Sequence, residues 1–362
     1  MNRNVPAART LREIERLCHA GLNSQTLRLE AISRLRKVIP VDGFFWATVD
    51  PATLLFTGSV VDAIPEEATP AFLANEFLLD DVNKFVDLAR IPVPVRTLFA
   101  ATGGKPEQSA RFREILAPMG FGDELRAALR TGGTTWAVMC LHREMDRVGF
   151  SPEEADLLRF IGPVLASGLR AALLLEATAE PVPGGPGLVL LADDLTVIST
   201  TAVADVWLAE LGDWPTRSEP PQAIRAVAAK LKAMEGSDGI KPIEPPRARV
   251  LTRAGRWLVL HGARLAGTAG DGRIAIIIEQ ASGAEVAPLA LQAYGLTGRE
   301  AQVAELVLRG WSTAEIGQHL AISGLTVQQH LKAVFDKTGA RSRRELVAQI
   351  FAQQYLPRML AR

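Results

Sequence analysis

The chain of 362 residues is electrically balanced, with 40 basic and 40 acidic residues, and 48% of its residues are hydrophobic. The charge balance excludes a general polyanion binder, and the hydrophobic content excludes a disordered chain and supplies cores for two or three domains. With two cysteines, no apolar run of 18 residues and no apolar signal-peptide segment, we expect a cytoplasmic protein without disulfides or membrane spans.

Residues 1–179 are predicted to form an α+β domain that ends in a long helix. The periodicity of apolar residues indicates elements in this order: a helix over 24–38, strands over 43–49 and 54–61, a helix over 72–85, and strands over 124–130 and 134–142. Gly132-Gly133 is typical of a tight turn between the last two strands. Ser151-Pro152 then opens a helix that runs to about 178, with Glu154 placed to complete a capping box.

A linker rich in proline and glycine, 180–187, separates this region from a second one, 188–282. The second region is also predicted to be α+β. Its pattern indicates two strands around an acidic turn, helices over 201–211 and 221–235, and strands over 248–252, 256–265 and 273–279. A second linker is expected over 283–295.

The last part of the chain, 296–362, carries three helix caps in succession. Two are capping boxes, in which a hydroxyl and a glutamate three residues later satisfy free N–H groups of the first helical turn. The boxes are Thr297 with Glu300 and Ser312 with Glu315, and Ser323 caps a third helix. A fourth helix is expected over about 343–353. Four short amphipathic helices with a tight turn between the second and third predict a helix-turn-helix unit.

This part resembles the DNA-binding domain of the LuxR family of bacterial transcription regulators over 296–351. The resemblance rests on Leu296-Thr297-Gly298-Arg299-Glu300, Gly310-Trp311-Ser312, Ile316, Ile322-Ser323, Thr326-Val327, His330, Lys337, Gly339, Arg343 and Leu346. It implies that the helix from Ser323 to Lys337 lies in the major groove of double-stranded DNA and that a homodimer reads two half-sites. The positive charge fits, since from Leu291 onward nine Lys/Arg stand against five Asp/Glu.

Carried over by position, the resemblance places three side chains at phosphates and three at base edges. Thr326, Lys337 and Arg343 would contact phosphates, and Gln328, Gln329 and Lys332 would face bases. A glutamine can bind adenine through two hydrogen bonds. The alternative for Gln328 and Gln329 is that they are solvated helix residues.

The two earlier regions resemble sensory modules in the order of their elements. Residues 1–179 are similar to a GAF domain, and 188–282 are similar to a PAS domain. The candidates to line a ligand pocket in the first domain are Phe44, Phe45, Trp46, Trp136 and Met139, and ordinary core packing explains them equally well. The apolar stripe of the long helix over 152–178 fits self-association and fits packing on its own sheet.

No catalytic or metal-binding constellation is visible in the sequence. The five histidines lack metal-ligand spacing, and no nucleophile stands beside a base. We therefore expect no metal and no enzyme, and the cofactor is left unknown, with a small-molecule effector as a candidate. The pattern favours a one-component, sequence-specific DNA-binding regulator controlled by a ligand or partner. The alternative is a signalling protein that acts mainly through protein contacts of its sensory domains.

Overall fold

Two five-stranded antiparallel sheets with the same internal strand order follow one another along the chain, and a helical unit comes after them. The computed structural model describes residues 4–177, 185–212, 219–235, 244–265, 272–348 and 350. This architecture confirms the predicted fold class, two α+β domains with antiparallel sheets followed by an all-α domain. Within the described residues, no helix has the length and apolar character needed to cross a membrane.

The first domain consists of six helices and five strands, joined by short 3-10 turns and one π turn. Its elements are α1 (Asn4–Cys18), α2 (Ser24–Leu35), β1 (Gly43–Val49), β2 (Phe56–Asp62), α3 (Thr69–Phe77), α4 (Phe85–Leu88), β3 (Val95–Thr97), α5 (Leu98–Ala101), β4 (Phe121–Thr131), β5 (Thr134–Glu144) and α6 (Pro152–Glu176). The sheet order is β2-β1-β5-β4-β3. The long helix α6 begins where the sequence predicts, because Ser151 and Glu154 form the expected reciprocal cap.

Both faces of the first sheet are covered, so all seven residues of β1 are buried. Alternate side chains point to opposite faces. Phe44 and Trp46 pack in a core with α1, α2 and α6, whereas Phe45 and Ala47 pack in a second core with α3 and α4. The two aromatic neighbours in β1 therefore belong to different cores.

The single helix predicted over 72–85 is wrong. Helix α3 ends at Phe77 and α4 begins at Phe85. Between them, Asp81 turns inward and accepts hydrogen bonds from Asn75 Nδ2 at 2.8 Å and from the backbone N–H of Arg111 at 2.7 Å. The chain leaves the helix to supply this buried carboxylate, a tertiary demand that helical periodicity does not report.

The second domain contains β6 (Gly187–Leu191), β7 (Val197–Thr200), α7 (Ala202–Leu211), α8 (Gln222–Glu235), β8 (Arg247–Leu251), β9 (Trp257–Arg264) and β10 (Ile274–Gln280). Its sheet order, β7-β6-β10-β9-β8, repeats that of the first domain. Helix α8 packs on its own sheet through Ile224 and Val227. The same helix inserts Ala226 and Ala229 into the core that contains Phe45. The two domains thus share apolar packing through α8.

The segment predicted as a linker over 283–295 is largely helical, forming α9 (Gly283–Ala293). Val286 of α9 packs against Val259 and Ala281 of the second domain. Arg249 Nη1 donates a hydrogen bond to the carbonyl of Glu285 at 3.1 Å. This segment is therefore held against the second domain over part of its length.

The C-terminal unit consists of α10 (Gly298–Leu308), α11 (Thr313–Leu320), α12 (Gly324–Thr338) and helical residues 343–348 and 350. A small core with Val303, Ile316, Val327, Leu331 and Leu346 holds the helices together. The remainder of the predicted fourth helix, to 353, lies outside the described residues.

Candidate DNA interface and effector cavity

The three predicted caps hold the starts of the three C-terminal helices. Thr297 and Glu300 form a complete capping box, in which the Thr297 N–H donates to Glu300 Oε2 at 2.7 Å. Ser312 and Glu315 form the second, with the same distance between the Ser312 N–H and Glu315 Oε2. Ser323 Oγ accepts the N–H of Thr326 at 3.1 Å. Each cap satisfies N–H groups that a helix leaves unpaired at its start.

The turn between α11 and α12 closes by a Schellman arrangement. The N–H of Ile322 donates to the carbonyl of Gly317 at 2.9 Å, and the N–H of Ala321 donates to Gln318. Ala321 adopts a left-handed conformation with φ of 53°, where glycine is usual. Ile322 packs against the small core. The turn sets the angle between the two helices and exposes the outer face of α12.

The outer face of α12 presents the side chains predicted to face bases. Gln328, Gln329 and Lys332 are exposed, whereas Val327 and Leu331 on the opposite side of the helix are buried. Gln328 Nε2 donates to Thr313 Oγ1 at 3.2 Å, which links it to the start of α11. Lys332 lies three residues after Gln329 and four after Gln328, so it is a neighbour of both glutamines on the surface of the helix.

The side chains predicted to contact phosphates each have an internal partner. Thr326 belongs to the cap of α12. Lys337 Nζ lies 2.6 Å from Glu300 Oε2, so it joins the end of α12 to the cap of α10. Arg343 donates to the carbonyl of Trp311 and to Thr313 Oγ1, both at 2.8 Å. These contacts give Lys337 and Arg343 a structural role in addition to the predicted one.

The start of the helical unit lies close to the first domain. A methyl group at Gly132, in the turn between β4 and β5, would lie 3.7 Å from the carbonyl oxygen of Leu296. A methyl group at Gly295 would lie 3.6 Å from the guanidinium of Arg170 on α6. Lys337 Nζ also approaches the carbonyl of Gly295 at 3.4 Å. The entry into α10 is therefore in contact range of both the first domain and α12.

A cavity of about 280 Å³ lies between the first sheet and the elements that cover it. Most of the lining residues are apolar. The lining includes Phe45, Phe72, Ile115, Leu116, Met119, His142, Gln222 and Arg225. Gln222 and Arg225 come from α8 of the second domain, so the wall of this cavity is built by both domains.

Most of the residues predicted to line a pocket lie outside the 280 Å³ cavity. Phe44, Trp46 and Met139 are buried in the core with α1, α2 and α6, and they do not line either of the two cavities described here. Trp136 lines a larger crevice of about 580 Å³ between the first and second domains. Of the predicted residues, Phe45 lines the 280 Å³ cavity. The sequence shows that successive side chains of the strand point to opposite faces of the sheet. It does not show which of the two faces borders a cavity.

A network of buried charges lies beneath the covering elements of the first domain. Arg111 bonds to Glu124 and to Asn75 Oδ1, and Arg126 bonds to Glu76 at 2.9 Å. Burial opposes ionisation of Glu124, but the two guanidinium groups hold its pKa below the usual range. Burial also lowers the pKa of His142 to about 4 and raises that of Cys140 to about 12. Arginines on neighbouring elements thus fix the carboxylates in place.

Two capped helices joined by a tight turn, the second with an exposed polar face and a buried apolar one, define a helix-turn-helix DNA-binding domain. Residues 295–350 match the family model described as bacterial regulatory proteins, luxR family. The chain carries a LuxR-family helix-turn-helix domain. Comparison with curated protein sequences gives no match.

Solved structures with similarity to the chain include a phage protein complex, a bacteriophytochrome and the sensor region of a histidine kinase. The phage VqmA–DPO complex is 16% identical over 47% of this chain and 82% of that chain, with a TM-score of 0.25. The bacteriophytochrome RpBphP3 from R. palustris is 12% identical over 75% and 62%, with a TM-score of 0.28. The sensor region of a sensor histidine kinase is 15% identical over 66% and 84%, with a TM-score of 0.20.

Proposed function

We propose that this protein is a sequence-specific transcriptional regulator that inserts α12 into the major groove of double-stranded DNA. The observation that carries the proposal is the division of α12 into two faces. Val327, Leu331 and Val334 anchor the helix in its domain, and the opposite face presents Gln328, Gln329 and Lys332 to solvent. A helix held in this way can place its amide groups against base edges without unfolding.

The active form is proposed to be a homodimer. One helix-turn-helix unit reads a single half-site, and two units related by a twofold axis read a palindromic operator. In each unit, Thr326, Lys337 and Arg343 are proposed to contact phosphates. A DNA partner would also place the protein in the bacterial cytoplasm.

DNA binding is proposed to depend on a small molecule held in the 280 Å³ cavity of the first domain. Its apolar lining and few polar groups are typical of small-molecule sites. Because α8 supplies Gln222 and Arg225 to its wall, a bound molecule would touch both domains at once. Arg249 and α9 then connect the second domain to the start of the DNA-binding unit. An effector would shift the regulator only to the extent that it binds one arrangement more tightly than the other.

A second candidate is a protein that signals mainly through contacts of its sensory domains. The internal bonds of Lys337 and Arg343 favour this alternative, because each phosphate contact would compete with a bond already made.

Selection of binding sites from a random duplex pool, followed by fluorescence anisotropy with the selected duplex, distinguishes the two candidates. For a regulator we expect a recurrent palindromic site and salt-dependent binding. Gln329→Ala with Lys332→Ala should remove discrimination between selected and scrambled duplexes, while Gln302→Ala on the exposed side of α10 serves as the matched control. Failure of the intact, folded protein to enrich any site would favour the second candidate.

A further inference from the structure

Three side chains of different metal-binding chemistry meet beneath the covering elements of the first domain. Glu124, Cys140 and His142 each offer a ligand atom, and these atoms all lie within 4.8 Å of one another. Cys140 and His142 are two residues apart on β5 and therefore share a face, and Glu124 on β4 pairs directly with His142 in the sheet. The sheet register, and not a loop, brings the three together.

Two of the three residues each have a buried polar atom without a hydrogen-bond partner. Within the described residues, Glu124 Oε1 and His142 Nδ1 accept or donate no hydrogen bond, although Glu124 is 0% and His142 2% exposed. Buried polar atoms nearly always find a partner, so each such exception requires a physical explanation. Here the two atoms without a hydrogen bond belong to the same cluster.

The charges of the surrounding network leave room for a cation. Its ionised groups are the guanidiniums of Arg111 and Arg126 and the carboxylates of Glu76, Asp81 and Glu124. Two positive groups against three negative ones leave one negative charge uncompensated in a buried site, which is unfavourable. A divalent cation together with the thiolate of Cys140 adds one net positive charge, and the network becomes neutral.

We propose that Glu124, Cys140 and His142 bind one first-row divalent metal ion of the Zn²⁺ type. Mixed carboxylate, thiolate and imidazole ligands suit such an ion, and three protein ligands leave a fourth tetrahedral position open. His142 lines the 280 Å³ cavity, so the open position faces a space that a water molecule or small ligand can enter. Binding converts the Cys140 thiol to a metal-bound thiolate and releases its proton to solvent, with no change in oxidation state.

Arg126 lies beside the proposed ligands. Its Nε lies 3.3 Å from Cys140 Sγ and 3.7 Å from Glu124 Oε1. The same guanidinium bonds to Glu76 of α3 and stacks 3.8 Å from the ring centroid of Phe85 in α4. Metal entry would replace the Nε contacts with Cys140 and Glu124. The metal site is therefore linked to α4 and to α3, whose Phe72 lines the cavity.

The experiment measures metal content and cobalt spectra of the untagged, full-length protein, and its outcome does not depend on DNA binding. After incubation with Zn²⁺ or Co²⁺ and removal of free ions, we expect about one metal ion per chain. The Co²⁺ form should show a thiolate-to-cobalt charge-transfer band in the near ultraviolet. Cys140→Ala and His142→Gln should each lower the metal content by at least tenfold, with the fold checked by circular dichroism.

Matched controls use a cysteine and a histidine outside the cluster. Cys18→Ala changes a cysteine that lies in the core with α1 and α6. His261→Gln removes a histidine that is paired with Glu279. Both should retain the metal. A folded wild-type chain that retains no stoichiometric metal would overturn the proposal, as would cobalt binding without the charge-transfer band. The wild-type cobalt spectrum decides the matter even where a cluster variant fails to fold.

Discussion

Asp50 and Arg249 form a buried, bidentate ion pair that joins the first and second domains. Asp50 Oδ1 lies 2.7 Å from Arg249 Nη2, and Oδ2 lies 3.1 Å from Nε. The N–H of Arg249 also donates to Oδ2 at 2.7 Å. Since Arg249 Nη1 reaches the carbonyl of Glu285, one guanidinium connects the end of β1, strand β8 and helix α9.

Asp50→Asn should destabilise the protein strongly. The side chains of Asp50 and Arg249 are 2% and 7% exposed, so removal of the carboxylate charge leaves a buried guanidinium without compensation. We expect a loss of about 3–5 kcal/mol in the free energy of unfolding, the range for broken buried pairs. Calorimetry measures the loss. The control Asp193→Asn disrupts an ion pair whose carboxylate is 63% exposed and should cost less than about 1 kcal/mol. Equal effects of the two variants would contradict a special role for the buried pair.

Ala321→Gly should stabilise the helix-turn-helix domain. Ala321 has a φ of 53°, a left-handed conformation that costs a non-glycine residue about 1–2 kcal/mol. Glycine relieves this cost, although its greater freedom in the unfolded chain offsets part of the gain. A net gain of about 1 kcal/mol should appear as a higher midpoint in urea for the domain transition. A lower midpoint would show that the methyl group of Ala321 makes packing contacts that outweigh the conformational cost.

Gly317→Ala should destabilise the turn between α11 and α12. A Cβ at this position would lie 2.9 Å from the carbonyl oxygen of Ile322, too close for the turn to remain as it is. We expect the angle between α11 and α12 to change and DNA affinity to fall at least tenfold, measured by anisotropy with the selected duplex. Gly298→Ala is the matched control because nothing lies within 4 Å of a Cβ built there.

The domain should lose stability in acid through Glu300. Burial raises the pKa of Glu300, but the hydrogen bonds from Lys337 and from the Thr297 N–H lower it by more. The pKa therefore lies below its ordinary value of 4.5. A carboxyl group with a depressed folded pKa contributes stability that is present above its unfolded pKa and lost as pH falls through the folded pKa. We therefore expect the loss below about pH 4.5, where the unfolded chain begins to take up the proton. Urea titrations across this window should show a weaker pH dependence for Glu300→Gln, and an unchanged dependence would assign the acid loss to other carboxyl groups.

Lys337 and Arg343 should each affect the salt dependence of DNA binding if they contact phosphates. Each lost phosphate contact lowers the slope of log affinity against log salt by about 0.9. We expect Lys337→Ala and Arg343→Ala to lower the slope by this amount. A fall in affinity with no change of slope, together with a lower melting temperature, would restrict both residues to the internal bonds with Glu300 and Trp311.

Local signals were sufficient for much of the fold. The caps at Thr297, Ser312 and Ser323 lie where the sequence places them, because a cap involves atoms only three residues apart. The long helix α6 and the helices of the second domain were predictable for the same reason. The break between α3 and α4 could not be predicted in this way, because Asp81 accepts a hydrogen bond from a residue as distant as Arg111.

The sequence by itself determined the helix-turn-helix unit with which the chain ends, since its caps, turn and apolar spacing are all short-range. Tertiary structure alone decided that Phe45, and not Phe44 or Trp46, lines the cavity, because alternation along a strand does not say which face packs more loosely. It also decided that α8 closes that cavity and that Glu124 meets Cys140 and His142. Those contacts depend on strand register and domain packing, which arise from side chains far apart in the chain.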